Sequence, residues 1–296
     1  MTTDVFPNPT DSRNNATFAA WIKEEWTRRR SGEATLPLNF LLSVTRSAPL
    51  TAFSPVPGPD STTVGNTAGL VPLKQISPAN WQSIIDLYRS QDLRTVLPTN
   101  YTTEQIQGYA AQRALLADSM TRLDNAFLEF PLQAGGGSPL VYIKQLSRGT
   151  ILLNVTHPYA EPVVDYHTFA NPADARIAVE SLRFVRRFWE TPSARRLGPA
   201  EQAPGRDVVA DDALLDAVRR STGSTAAHLS GTNAMMPRAL GGVVAPDLLV
   251  YGVAGVSVAD SSIMPMIPGA HICATVYAVA EKAADLIKVR HKLRMS

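Results

Sequence analysis

The sequence predicts an α+β fold, an antiparallel sheet flanked by helices. Three observations point there. Apolar runs at 127–132, 139–144 and 150–155 follow one another, separated by Ala134-Gly135-Gly136-Gly137-Ser138 and by Ser147-Arg148-Gly149. Successive short strands without intervening helices favour antiparallel pairing. On either side of them, Ser77-Pro78 and Asn171-Pro172 place a capping side chain directly before proline. Proline costs nothing at the first helical position, where its missing N–H has no partner anyway. Finally, 296 residues with 45% hydrophobic and 18% charged content suit a globular chain that buries a substantial core.

Taken in order, residues 1–15 read as loop. Residues 16–30 read as a helix, with Phe18, Trp21, Ile22 and Trp26 spaced for one buried face. The segment 31–76 is rich in Pro, Ser, Thr and Gly and reads as a long ordered loop with one short strand or turn. Loops of that length often line functional sites; the plainer reading is a surface wrap. A helix from Ser77 reaches about residue 89, and another runs from Thr102 to about 120. After the three strands, Asn171-Pro172 opens a helix to about 190, with Ile177, Val179, Leu182, Val185 and Phe188 at helical spacing. Thr191-Pro192 interrupts it before a short helix at 193–197. Asp211-Asp212 caps one ending near 220. There is no internal repeat. Gly135-Gly136-Gly137 leads into a strand rather than a helix, so it fails as a dinucleotide fingerprint.

A net charge of +2 and the lack of a basic stripe argue against nucleic acid as a partner. The run Arg28-Arg29-Arg30 reads as favourable charge at a helix C-terminus. No segment is long and apolar enough to span a bilayer. The first residues lack the basic start and apolar core of a signal peptide, which leaves the compartment undetermined. The single cysteine, Cys273, excludes an intrachain disulfide and a cysteine-based metal site. Its apolar neighbourhood predicts a buried, inert thiol. Sequons at Asn15, Asn100 and Asn154 matter only in a secreted protein. No two histidines have the i, i+4 spacing of a zinc-binding helix, so no metal is expected. Ser261 and Ser262 lack the G-x-S-x-G elbow of a serine hydrolase.

His157, His167 and His291 sit in loops or a basic tail and read as structural. His228 and His271, 43 positions apart, differ: each introduces a segment of small residues that lets backbone approach a ligand closely. Two histidines converging on a substrate hydroxyl serve as base and hydrogen-bond partner. Spacing alone leaves that reading and a structural one open.

The segments around this pair carry more. They are His228-Leu229-Ser230-Gly231-Thr232, Met235-Met236-Pro237, Gly241-Gly242-Val243-Val244, Val250-Tyr251-Gly252-Val253, Asp260-Ser261-Ser262-Ile263-Met264-Pro265, and His271 followed by Ala274-Thr275-Val276-Tyr277 and Ala280-Glu281-Lys282-Ala283-Ala284. In order and spacing they resemble the C-terminal part of the glucose–methanol–choline (GMC) oxidoreductases, flavoenzymes that oxidise alcohols. Ser147-Arg148-Gly149-Thr150 and Asn171-Pro172-Ala173-Asp174 resemble the substrate-domain strand and helix of that family. The resemblance implies FAD as cofactor and a small-molecule alcohol as substrate. It makes His228 the general base and His271 its partner. It brings the backbone N–H groups of the Asp260-Ser261 turn to the flavin pyrophosphate, and it starts the last helix, at Ile272 and Cys273, beside the flavin ring.

Departures from the family pattern shape the remaining expectations. The N-terminal flavin-binding fingerprint is absent, and Ala227, Ala245, Leu249 and Ser257 replace residues common in the family. The chain therefore reads as the C-terminal half of such an enzyme. Residues 1–220 form a substrate-binding-type domain, and residues 221–296 form a tail that completes a flavin domain whose N-terminal part is missing. That half is expected to be inactive alone, to pair with a missing flavin-binding half, and to leave an apolar face of its last helix uncovered (Val276, Val279, Ala280, Ala283, Leu286, Ile287). The alternatives are a non-catalytic binding module derived from the substrate domain and a flavin-dependent relative with non-redox chemistry.

Overall fold

A computed structural model describes residues 67–132, 140–196, 199–201, 203–223 and 225–292. The helix expected at 16–30, most of the long loop, the Asn15 sequon and the triple-glycine turn lie outside these residues. In its described residues the chain forms two compact units. One comprises the described residues of 70–129, 141–184 and 218–292; the other comprises those of 67–69, 130–140 and 185–217.

The elements are β1 (Thr67–Pro72), α1 (Leu73–Ile76), α2 (Trp81–Ser90), α3 (Leu93–Val96), α4 (Thr103–Ser119), β2 (Ala126–Leu132), β3 (Val141–Tyr142), β4 (Thr150–Leu152), β5 (Val163–Asp165), α5 (Pro172–Trp189), α6 (Pro192–Arg195), α7 (Asp211–Ser221) and α8 (Cys273–Arg290). One sheet has the order β1-β2-β3. Within it β2 and β3 are antiparallel, with Leu128 opposite Tyr142 and Glu129 opposite Val141. The α+β expectation holds, but β4 does not extend this sheet. It pairs instead with β5, antiparallel, in a separate two-stranded sheet.

A buried carboxylate accounts for the departure. Asp174, in the first turn of α5, accepts hydrogen bonds from the amides of Leu146 (2.9 Å) and Ser147 (2.6 Å) and from the Ser147 hydroxyl (2.6 Å). These bonds tie the β3–β4 connection to the start of α5 rather than to the sheet. Gly149 then lets the chain press against β5, because a Cβ there would lie 2.1 Å from the Asp165 carbonyl oxygen.

Local helix signals hold well. Thr102 and Gln105 form a capping box at α4. The Asn171 side chain accepts from the Ala173 amide at 2.9 Å at the start of α5. Ser77 departs from its expected role. The N-cap of α2 is Asn80, while the buried Ser77 hydroxyl donates to Glu180 at 2.8 Å. A buried acceptor elsewhere in the chain outcompetes the local amide. Behind the sheet, Tyr109 on α4 donates to the Leu146 carbonyl (2.6 Å), and Tyr88 on α2 donates to Tyr109 (3.3 Å).

The smaller unit has its own centre. Phe130, Phe188 and Trp189 meet edge to face, at centroid separations of 5.0 to 6.3 Å. Arg186 pairs with the nearly buried Glu201 at 2.7 Å.

The C-terminal stretch is built by a few bridges rather than long strands: Met235 with Val244, Val244 with Val250, and Leu249 with Ser257. Apolar side chains of this stretch cover part of α8. Val244, Leu248, Ile263 and Ala283 form one apolar cluster, joined by Val279 and Leu286. The uncovered helix face expected from the sequence is thus covered at Val279, Ala283 and Leu286. Exposed apolar surface on α8 lies at Ile287, Val289 and Tyr277, which is 68% exposed.

Candidate active site

His228 and His271 come together. Their rings meet edge to face, with centroids 5.2 Å apart and planes at 88°. Each ring is aimed by different local chemistry.

His271 is held through its outer nitrogen. Its Nε2 lies 3.0 Å from Oε1 of Glu129 in hydrogen-bond geometry. It is 2.8 Å from Oε2, which accepts no hydrogen bond. A carboxylate only accepts, so Nε2 carries the proton and Nδ1 is left for a ligand. The Glu129 side chain is 10% exposed while that of His271 is 63% exposed, so a buried anchor holds an open ring. The backbone helps: the turn before His271 lies close to β2, with the Gly269 Cβ position 3.5 Å from the Ala126 carbonyl. The Ile272 side chain is buried just after it.

Glu129, which anchors His271, is a site residue that the sequence reading missed. Its signal was available. A glutamate inside the apolar strand Ala-Phe-Leu-Glu-Phe-Pro-Leu is rare unless a partner offsets its burial.

His228 is held through the opposite nitrogen. Its Nδ1 lies 2.5 Å from the Ala226 carbonyl oxygen. A carbonyl also only accepts, so the proton sits on Nδ1 and the Nε2 lone pair is free. Ala227 between them adopts a left-handed conformation, with φ of 59°. That conformation costs a residue with a Cβ about 1–2 kcal/mol. Two further ties steady the segment: Ser261 Oγ donates to the Leu229 carbonyl at 2.8 Å, and the Asn233 amide donates to the Ser262 carbonyl at 3.0 Å.

The remaining expected site residues flank the pair. Asp260 spends its carboxylate on the Ser262 amide (2.8 Å), and Ser261 spends its hydroxyl on Leu229. What this turn offers a ligand is therefore backbone. Ile272 stands at the N-cap of α8 with no side-chain cap, so the first amides of that helix, from Cys273 onward, lack an internal acceptor. Open helix N-termini favour negative charge. Cys273 is exposed, contrary to the buried thiol expected. Its apolar neighbours Val276 and Val279 follow the helix repeat, whereas Cys273 opens the helix on its exposed end.

Among the described residues no group of three or more His, Cys, Asp or Glu could hold a metal. No described helix is long and apolar enough to cross a membrane.

The arrangement is a histidine pair beside the uncapped start of a helix, carried on an α+β chain. Comparison with known proteins gives the family. The family profile described as GMC oxidoreductase matches residues 145–280. The chain is 34% identical over 71% of its length to dehydrogenase xptC of Emericella nidulans, covering 34% of that protein. It is 35% identical over 50% of its length to a pyranose dehydrogenase of Agaricus xanthodermus, covering 25% of it. Among solved structures, an FAD-dependent oxidoreductase from Chaetomium thermophilum superposes with a TM-score of 0.80 and 30% identity, over 99% of this chain and 46% of the other. A fungal aryl-alcohol oxidase gives 0.76 and 32%, over 97% and 44%. This chain belongs to the GMC oxidoreductase family and corresponds to its C-terminal part. It spans less than half the length of these relatives.

Proposed function

We propose that these residues supply the proton-transfer side of an FAD-dependent alcohol oxidation. The single observation that carries this reading is the complementary state of the histidine pair: His228 presents a free Nε2, while His271 is fixed by Glu129. His228 accepts the substrate hydroxyl proton at Nε2. His271 flanks the same oxygen, and the buried Glu129 carboxylate keeps that ring in place. Bound FAD would supply the hydride acceptor. The residues present fit one edge of such a group, because the first amides of α8 and the backbone of the Asp260-Ser261 turn are donors with little internal demand.

The rest of the flavin site is expected from a separate flavin-binding segment, in line with relatives more than twice as long as this chain. That segment is the expected partner, and without it the chain is expected neither to bind FAD nor to turn over.

The test is to co-express the chain with the remaining N-terminal part of the Chaetomium thermophilum relative, and to compare the flavin absorbance of the complex and of the chain alone. Bound FAD that is bleached by an aryl alcohol in the complex, with no flavin on the isolated chain, is the expected outcome. Stoichiometric FAD on the isolated chain would overturn the requirement for a second part. A loaded complex that no alcohol reduces would overturn the redox reading.

A further inference from the structure

The β4–β5 hairpin carries apolar side chains on both of its faces. Ile151 stands opposite Val164, and Leu152 stands opposite Val163. Neighbouring positions on a strand point to opposite sides, so each face presents one of these pairs. All four side chains are exposed, as are Leu153 (65%) and Val155 (79%) just past β4. Residues 150–164 hold a single formal charge, on Glu161.

A hairpin with one solvated face alternates apolar and polar side chains. Ile151-Leu152-Leu153 and Val163-Val164 do not alternate. Unbroken apolar runs of this kind belong to strands buried on both sides. Yet among the described residues β4 and β5 pair only with each other, and a lone two-stranded sheet is marginally stable in water. The composition is that of an interior and the surroundings are those of a surface. Clustered exposed apolar side chains mark a surface that another chain covers.

The two faces and the length of the relatives point to the covering chain. A second copy meeting the hairpin about a two-fold axis applies the same patch of both subunits, and so covers one face. Both faces here need cover. The Chaetomium thermophilum relative accommodates this chain in 46% of its length, so more than half of that protein is chain without a counterpart here. A segment of that length can pass on both sides of the hairpin.

We propose that the β4–β5 hairpin is the docking surface for the flavin-binding segment, which covers the Ile151–Val164 pair on one side and the Leu152–Val163 pair on the other. This rests on the separate flavin-binding partner of the reading above and names where that partner is held. The contact is apolar, as in obligate interfaces.

The test measures association rather than turnover, which separates its failure from failure of the redox reading. The chain is co-expressed with the N-terminal part of the Chaetomium thermophilum relative, and amide hydrogen exchange is compared between the complex and the chain alone. The amides of 151–155 and 163–165 are expected to exchange at least about tenfold more slowly in the complex. Ile151→Glu and Leu152→Glu, one on each face, are each expected to weaken association at least about tenfold, in line with the loss of one buried aliphatic side chain. Leu123→Glu, at an exposed position outside the hairpin, is expected to leave it unchanged. Unaltered hairpin exchange in the complex, unaltered association of both hairpin variants, an equal loss in Leu123→Glu, or no complex at all overturns the proposal. A concentration-dependent dimer of the isolated chain that Leu152→Glu abolishes also overturns it, by assigning the surface to a second copy. A complex that forms through the hairpin but that no alcohol reduces upholds the docking surface and overturns only the redox reading.

Discussion

Glu129 lies beneath His271 and decides which nitrogen of that ring is free. The carboxylate is nearly buried and the imidazole largely open, joined at 3.0 Å. The acid behaves as a fixed anchor, because it cannot leave the strand without leaving the core. Replacing Glu129 with Gln preserves shape and one acceptor but removes the charge. The stability cost is expected to be about 1 kcal/mol or less, because the histidine end of the contact is solvent-screened. Glu129→Ala removes the anchor altogether, and in NMR spectra the slowly exchanging Nε2 proton of His271 and its cross-peaks to the His228 ring are expected to disappear. Persistence of both signals would show that the ring is held by something other than Glu129.

Both histidines are expected to matter for chemistry, and His228 hardly at all for folding. His271 is exposed and His228 is partly so. Alanine at His228 is expected to shift stability by no more than about 0.5 kcal/mol, as at other surface sites, whereas His271→Ala leaves the nearly buried Glu129 carboxylate without its partner and is expected to cost about 1–3 kcal/mol. In the complex with a flavin-binding segment, His228→Ala is expected to slow turnover by roughly 10²–10⁴, the range for loss of a positioned base. Thermal melts and dye-reduction rates on the same preparations separate the two effects. Undiminished turnover in His228→Ala sinks the base assignment.

Much of this was legible in the sequence where the controlling contact is local. Thr102 with Gln105 and Asn171 with Ala173 lie within three residues of each other, and both helix starts were readable. The histidine pair was legible only through the order of the motifs around it, since no spacing rule brings positions 228 and 271 together. What escaped was set by contacts between distant residues. The exit of β4 from the sheet depends on Asp174, whose partners lie 27 and 28 positions earlier. The cover over α8 comes from Val244, Leu248 and Ile263, whose apolar character was plain but whose destination was not. The role of Glu129 needed a partner 142 residues away.

Asp174 is expected to leave a mark on the pH dependence of stability. Burial raises its folded-state pKa above the ordinary 3.8, against the opposing pull of Ser147 and Leu146. Between 3.8 and the folded value, the native state therefore binds the proton more tightly than the unfolded chain. Its contribution to stability is fully present below 3.8 and is lost as pH rises through the folded value. Other carboxylates impose their own slopes, so the useful quantity is the difference between the chain and Asp174→Asn, measured by urea unfolding at several pH values. That difference is expected to move against the unsubstituted chain as pH rises from 3.8 and then to level off. A difference that is flat across the acid range contradicts the assigned direction.

Gly108 offers a case in which helix propensity and packing disagree. It lies within α4, where alanine is favoured over glycine by about 1 kcal/mol. A Cβ there would lie 2.1 Å from the Leu240 carbonyl oxygen and 3.1 Å from the end of Met236. The methionine can swing aside, but the carbonyl belongs to the short turn Arg238–Leu240 and has no such freedom. Gly242, just beyond, is equally constrained, since a Cβ there would lie 1.8 Å from the Met236 carbonyl oxygen. The turn therefore cannot slide along the helix. Packing is expected to outweigh propensity, and Gly108→Ala is expected to destabilise the chain by about 1–3 kcal/mol, the usual cost of overfilling a packed contact. A fall in the urea midpoint at unchanged slope is the expected signature. A rise in the midpoint would mean that the turn yields at little cost and that α4 does not fix its position.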